Sequence, residues 1–513
     1  MSMTDMSLMY LFSILMKYPK GKDFWKMNVM KRNSHLENNS HLEGNVVYSV
    51  LLSLSTYLIP LVVFPYISRI IGPSGVGAVD AVDYTINYFI QFSMMGLSTI
   101  GVREVAMAKG DKERLNTAFS SLFVLNLMLT VIAMVILTVL MFSVPSFSEK
   151  RSLYLIGMFK LLSNVFLVEW LFRGFEDFRY ITLRSISVRL IFLVLVFCLV
   201  KDKDDIIVYY ILFVSMTVAN AVLNWSRHFG MVSFGFSYIN IRKYASPFFL
   251  LGLFSLVTSV YLYLNAVFLD FATNDVQVGY YTTSTRLYNV LMAMFTSVTT
   301  VLVPRLSSLK EHGDTLKAES LVEKMFSILF MFALPVIIFF LFSSDQIIEL
   351  FAGDEFIPAS ATMKIVMLQV MIIGIEQIVI IQIMVPNKLD YEPVVSAVFG
   401  ASVSILGNCF LLSGFGAIGA AISWIMAELT TMGVAIFLVK RRIGFQFPWK
   451  PLVKAIYQSV PYLMICIVSM LIFDNSIIRM VFQIMLFVAY FIILDAKIAK
   501  TMLVSHLLKA FIK

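Results

Sequence analysis

The 513-residue chain has little charge: Asp, Glu, Lys and Arg make up 14% of it, against about 25% in soluble domains. That scarcity excludes a water-soluble globule of this length. Cysteine is nearly absent, and Cys198, Cys409 and Cys466 each sit inside an apolar run, so neither a disulfide framework nor a thiolate metal cluster follows. Five histidines lie near the ends of apolar runs or in polar segments, without HExxH spacing, which removes support for zinc and histidine-based catalysis. Long polar segments are missing as well. Every break between apolar runs is short, leaving no room for an extramembrane catalytic domain. We expect neither cofactor nor metal, and a protein that is not an enzyme.

What is there is apolar: 59% hydrophobic residues and a mean hydropathy of +0.85. A membrane span takes roughly 20 consecutive apolar residues, because only a closed helical backbone satisfies its own polar groups in lipid. Runs of that kind fall at 47–71, 79–101, 117–143, 152–172, 182–200, 206–226 and 245–270. A second series falls at 280–304, 323–344, 361–385, 392–413, 416–439, 453–473 and 476–496. The pattern predicts an all-α polytopic membrane protein with about fourteen transmembrane helices.

The formal net charge is +8. With the N-terminus inside, inner segments collect roughly thirty of the basic residues and outer segments about five, as the positive-inside rule requires. The inner clusters include Lys109, Lys112 and Arg114, then Lys440, Arg441 and Arg442, whereas the outer segment 344–360 carries Asp345, Glu349, Asp354 and Glu355 and no base. Both termini are expected in the cytoplasm, and membrane topology explains the excess of bases without a nucleic-acid partner.

The first 45 residues place an apolar stretch before the charges rather than after them, unlike a signal peptide. A functional extension and a true start at Met27 or Met30 are equal readings. Farther on, "VGAVDAVDYTIN" from Val76 is echoed by "VGYYTTSTRLYN" from Val278; Gly77 and Gly279, Asn87 and Asn289, and Arg103 and Arg305 are all 202 residues apart. The repeat divides the chain into a cytoplasmic N-terminal segment (1–45), an N-lobe of helices one to six (46–232) and a C-lobe of helices seven to twelve (240–442). Helices thirteen and fourteen (450–496) and a basic cytoplasmic tail (497–513) follow. Parallel six-helix repeats are a transporter's organisation.

The turn "SRIIGPSGVG", the segment "GVREVAMAKGD" and above all "EWLFRGFEDFRY", with Glu169, Trp170, Gly174 and Glu176, resemble the polysaccharide (O-antigen repeat-unit) flippase family. That family belongs to the multidrug/oligosaccharidyl-lipid/polysaccharide exporter (MOP) superfamily, and the likeness runs from Val46 to about Ala496. It implies a V-shaped bundle of two lobes in a bacterial inner membrane, moving undecaprenyl-diphosphate-linked oligosaccharide from the inner to the outer leaflet. Membrane lipids, a polysaccharide polymerase and chain-length machinery are the implied partners. Where relatives often carry Asp in the seventh span, this chain has Asn265. A multidrug antiporter or peptidoglycan-precursor flippase on the same scaffold is the alternative, and a membrane-embedded glycan polymerase is a more distant one.

Charges inside a membrane cost about 2.5–3.5 kcal/mol each on insertion scales and so mark candidate sites. For a diphosphate these are Arg69, Lys160, Arg189, Arg286 and Lys364 within spans, and Arg103 and Arg305 at inner span ends. Guanidinium matches phosphate oxygens in pairs, whereas Lys acts as a point charge. Arg69 and Lys364 read equally well as snorkelling to an interface, and Arg103 and Arg305 as topology anchors. Glu376, Glu428 and Asp83 are candidates for ion coupling, with pairing to a buried base as the structural alternative. Pro60 and Pro65 predict a kinked or broken first span.

Overall fold

The computed structural model describes residues 35–387, 389, 391–473 and 476–498. Most of the N-terminal segment 1–45 and nearly all of the tail 497–513 lie outside the described residues. Among those described, the regular structure is helical without strands. Among the described residues, nine helices are long and apolar enough to cross a membrane. Two of these are double. Within α1 (His35–Met94) the backbone leaves helical geometry at Gly72, and within the helix Glu392–Ile443 it does so at Gly416.

The break in α1 comes at Gly72 and not at Pro60 or Pro65, which both sit inside continuous helix. Each of those prolines removes one hydrogen bond while the turns around it persist. Gly72, by contrast, has φ 66° and ψ −179°, a left-handed, extended conformation suited to glycine and to the residue before Pro73. Gly416 (φ 52°) is shaped the same way, and its missing side chain makes room for Gln277, whose Oε1 accepts from the Ala417 N–H at 2.9 Å. The small residues from Gly414 to Ala421 thus build a turn.

Packing groups the chain into two units, a division distinct from that of the repeat: Met1–Thr283 with Lys388–Ala427, and Ser284–Asn387 with Glu428–Lys513. The first holds α1, α2 (Leu97–Met107), α3 (Lys112–Ser143), α4 (Pro145–Glu149), α5 (Arg151–Leu167), α6 (Glu169–Gly174), α7 (Phe178–Leu199) and α8 (Ile206–His228). It also takes in α9 (Ile241–Ser259), a π-helical turn (Val260–Leu264), α10 (Asn265–Ala272) and the start of α11 (Asp275–Glu311).

Helix α3 is inside out relative to a soluble helix. Val131, Ile132, Val135 and Val139 are exposed while Asn126 and Thr130 are buried, as expected when hydrocarbon covers the outer face. Two motif segments lock together: a Cβ on Gly101 of α2 would lie 2.6 Å from the Trp170 ring of α6, and one on Gly174 would lie 2.6 Å from Val105. Each glycine accommodates the other segment's bulky residue. Repeat-equivalent positions also meet. A Cβ on Gly77 would lie 2.8 Å from the Gly279 nitrogen, and the Thr282 hydroxyl donates to Asp80 at 2.6 Å across a separation of 202 residues.

The second unit contains the rest of α11, α12 (Thr315–Ala352), α13 (Ala359–Val366), α14 (Gln369–Gln377) and a π-helical segment (Ile378–Met384). The final part of α15 (Glu392–Ile443), α16 (Trp449–Ile472) and α17 (Ser476–Ile498) completes it. Helix α12 packs on α16, α13, α14 and α17. Ser343, Gln483 and Ser469 form a buried hydrogen-bonded chain among α12, α17 and α16, the polar adhesion that apolar surfaces in lipid lack.

Candidate functional site

The "EWLFRG" motif begins where α5 stops. Val168 adopts φ 34°, ψ 33°, a left-handed conformation costing a β-branched residue about 1–2 kcal/mol. Side chains secure the break. Asn224 of α8 donates to the Leu167 carbonyl, and its own amide oxygen accepts from Arg184 of α7. Arg184 also donates to Ser185 at 3.0 Å and to Glu169 at 3.2 Å. On the other carboxylate oxygen, Arg173 places Nε at 2.9 Å and Nη2 at 2.8 Å. Arg189, one and a half turns past Arg184, donates to the Ser55 hydroxyl at 2.5 Å. The Arg184 side chain is 3% exposed. Sequence reasoning passed over it, although it lies inside the expected span 182–200 just as Arg189 does.

A second group lies among α1, α5 and α8. Lys160 makes an ion pair with Asp83 at 2.6 Å and donates to Asn87 at 3.0 Å, while the Phe213 ring lies 5.2 Å from its ammonium. Asn87 in turn donates to the second Asp83 oxygen. One candidate phosphate ligand and one candidate coupling acid therefore neutralise each other. A third group, unforeseen in sequence, pairs Lys150 with both Asp270 and Asp275; Lys150 sits in a short loop and carried no signal of its own.

Buried acids mark the second unit. The Glu376 and Glu428 carboxyl groups lie side by side and are 6% and 0% exposed. Two carboxyl groups in such contact need a proton between them. Beside them on α14, Gln377 accepts from Thr296 at 3.2 Å. Gln369, two turns before Glu376 on the same face, is fully buried with neither amide atom hydrogen-bonded.

The remaining candidates scatter. Arg69 is exposed and donates to the Pro65 carbonyl at 2.7 Å. Lys364 lies 3.4 Å from Asp345. Arg103 is 3.0 Å from Glu104, which also faces Arg114. Arg286 is partly buried on α11, in the second unit, and the Arg305 side chain lies outside the described residues. Asn265 is buried, and its oxygen accepts from Ser404 at 3.0 Å and Asn408 at 2.6 Å. Among the described residues no group of His, Cys, Asp and Glu could hold a metal ion.

Many apolar helices enclosing buried, mostly paired charges define a multi-pass membrane transporter. The model of the polysaccharide biosynthesis protein family matches residues 42–310, and that of the lipid II flippase MurJ matches residues 240–492. The chain belongs to the polysaccharide biosynthesis protein family, among the polysaccharide flippases of the MOP superfamily. It is 24% identical over 401 residues to the "Putative O-antigen transporter" of Escherichia coli (strain K12), covering 77% of this chain and 96% of that one. The counterpart from Shigella dysenteriae is 23% identical over 407 residues, with 77% and 98% covered. In fold the chain is similar to the lipid II flippase MurJ in an inward closed conformation, with TM-score 0.72, 16% identity and 89% and 99% of the two chains covered. An inward-facing multidrug resistance MATE family transporter of the MOP superfamily gives TM-score 0.58 at 14% identity, with 75% and 94% covered. These relatives are transporters and flippases, so the protein is not an enzyme.

Proposed function

We propose that the protein carries undecaprenyl-diphosphate-linked oligosaccharide repeat units, of O-antigen, capsule or exopolysaccharide, from the inner to the outer leaflet of the bacterial inner membrane. The observation that carries this reading is the family match over residues 42–310. The lobes at 46–232 and 240–442 alternate access by rocking, as parallel repeats do, with both termini cytoplasmic. Intramembrane Arg189 and Arg286 meet the diphosphate, assisted by Lys160, Lys364, Arg69 and the inner-end pair Arg103 and Arg305. Buried bases argue against drug cations, which call for an acidic site. The Glu376 and Glu428 pair couples transport to protons, holding one proton between two carboxyl groups and releasing it when they separate. Asp83 serves to neutralise Lys160. Polymerase and chain-length proteins receive the product.

A strain lacking the gene tests this directly. It accumulates one lipid-linked repeat unit facing the cytoplasm and loses the corresponding surface glycan, and complementation with an Arg189→Ala, Arg286→Ala variant that is still folded and inserted restores little. Unchanged surface glycan in the deletion strain would exclude the reading.

A further inference from the structure

We propose that three segments of the first unit, 73–80, 147–150 and 270–282, form a gate that closes the extracytoplasmic end of the carrier, and that Lys150 is its latch. The inference rests on the two-lobe flippase reading and deepens it by naming residues that must part before substrate leaves.

Topology is the first argument. The expected spans leave 72–78, 144–151 and 271–279 as connections on the face opposite the basic clusters, the first two in the N-lobe and the third in the C-lobe. The structure brings all three together within one unit. Lys150 makes ion pairs with Asp270 and with Asp275, the latter at 2.5 Å. Phe147 lies against Phe271, their ring centroids 5.6 Å apart, and Asp80 accepts from the Thr282 hydroxyl at 2.6 Å. A Cβ on Gly77 would run into the Asp275 carbonyl oxygen, and one on Gly279 into that of Pro73. Every one of these contacts joins an N-lobe residue to a C-lobe residue. Rocking of parallel repeats requires such an end to open as the other closes.

The kind of contact is the second argument. Gly77 and Gly279 set backbone against carbonyl with no side chain interlocked between them, so parting withdraws nothing from a socket. The ion cluster sits at span ends, with the Lys150 side chain 12%, Asp270 7% and Asp275 28% exposed. Charges released at that level regain water, which charges at a span centre do not. One base between two acids gives the latch two holds, so either acid alone retains it. The backbone also bends beside the contact: Gly72 leaves helical geometry just before Pro73, and Thr273, between α10 and α11, has φ −138° and ψ −117°. Element ends of this kind absorb the dihedral changes of a moving segment.

The test forms a disulfide across the segments. Phe147→Cys combined with Phe271→Cys, in the full-length protein, should cross-link on oxidation; reconstituted with lipid-linked substrate, the cross-linked protein should lose nearly all transport and regain it on reduction. Each single variant keeps the three native cysteines and should show no such reversal. A cross-linked protein that transports as well as its reduced form makes the contact a permanent joint and overturns the gate, as does a pair that fails to cross-link. Labelling reads the latch without transport. Val278 on α11 is fully buried, and Val278→Cys should react slowly with a membrane-impermeant thiol reagent added to right-side-out vesicles. Lys150→Gln should speed that reaction about tenfold, the weight of one charge-assisted hydrogen bond. Asp270→Asn or Asp275→Asn alone should do less, and both together should match Lys150→Gln. A rate unmoved by Lys150→Gln removes the latch. Latch-dependent labelling alongside intact surface glycan in the deletion strain spares the gate and sinks the flippase reading; glycan loss with transport indifferent to the cross-link does the reverse.

Discussion

In its first unit the protein buries bases beside acids, and in its second it buries an acid beside an acid. Lys160 has Asp83, and Arg184 has Glu169; Glu376 has Glu428. In the first arrangement the charges cancel where they stand, so removing one partner leaves the other buried alone. In the second, a shared proton does the cancelling, and a proton can leave. Equal burial therefore implies different consequences: losing a partner costs stability in the first arrangement, and losing the proton costs coupling in the second. The sharpest way to break this contrast is Lys160→Met. It leaves Asp83 with only the Asn87 amide, and we expect a loss of about 3–5 kcal/mol, seen as a large drop in the thermal unfolding midpoint of the solubilised protein. Adding Asp83→Asn should restore most of it. A single variant as stable as wild type contradicts a structural role for the pair.

The helices were legible because lipid demands long apolar runs, and the alternation of loop charge is a consequence of topology. The turns were less so: Pro60 and Pro65 suggested a break that occurs at Gly72, since composition reveals which residues bend a helix but not where the bend is needed. For the sites, residue type was readable and pairing was not. Lys160 and Asp83 are 77 residues apart, and nothing in either local segment announces the other. Arg184 was missed for the same reason, its partners Glu169 and Asn224 lying on two other helices.

Intermediate effects sharpen the comparison from the second unit. Glu376→Gln and Glu428→Gln each put an amide donor beside the remaining carboxyl group, so stability should change by only about 1 kcal/mol. What is lost is the proton that a carboxyl pair can release. Reconstituted with lipid-linked substrate, each variant should lose about tenfold in substrate-driven proton flux, and the double variant little more, because the pair acts as one unit. Wild-type proton flux in either single variant removes these residues from the coupling path.

The smallest effect belongs to Lys364, which sequence placed beside Lys160 as an intramembrane base. Its side chain is 33% exposed, and Asp345, 3.4 Å away, is 49% exposed, against 10% and 12% for Lys160 and Asp83. Water or headgroups screen such a pair, and partly exposed ion pairs contribute less than about 1 kcal/mol. Lys364→Ala should therefore shift the unfolding midpoint by a degree or so, on the order of 0.5 kcal/mol. A shift comparable to that of Lys160→Met would mean that the exposure of these two lysines does not set the cost of losing them, and the contrast between the units would fail with it.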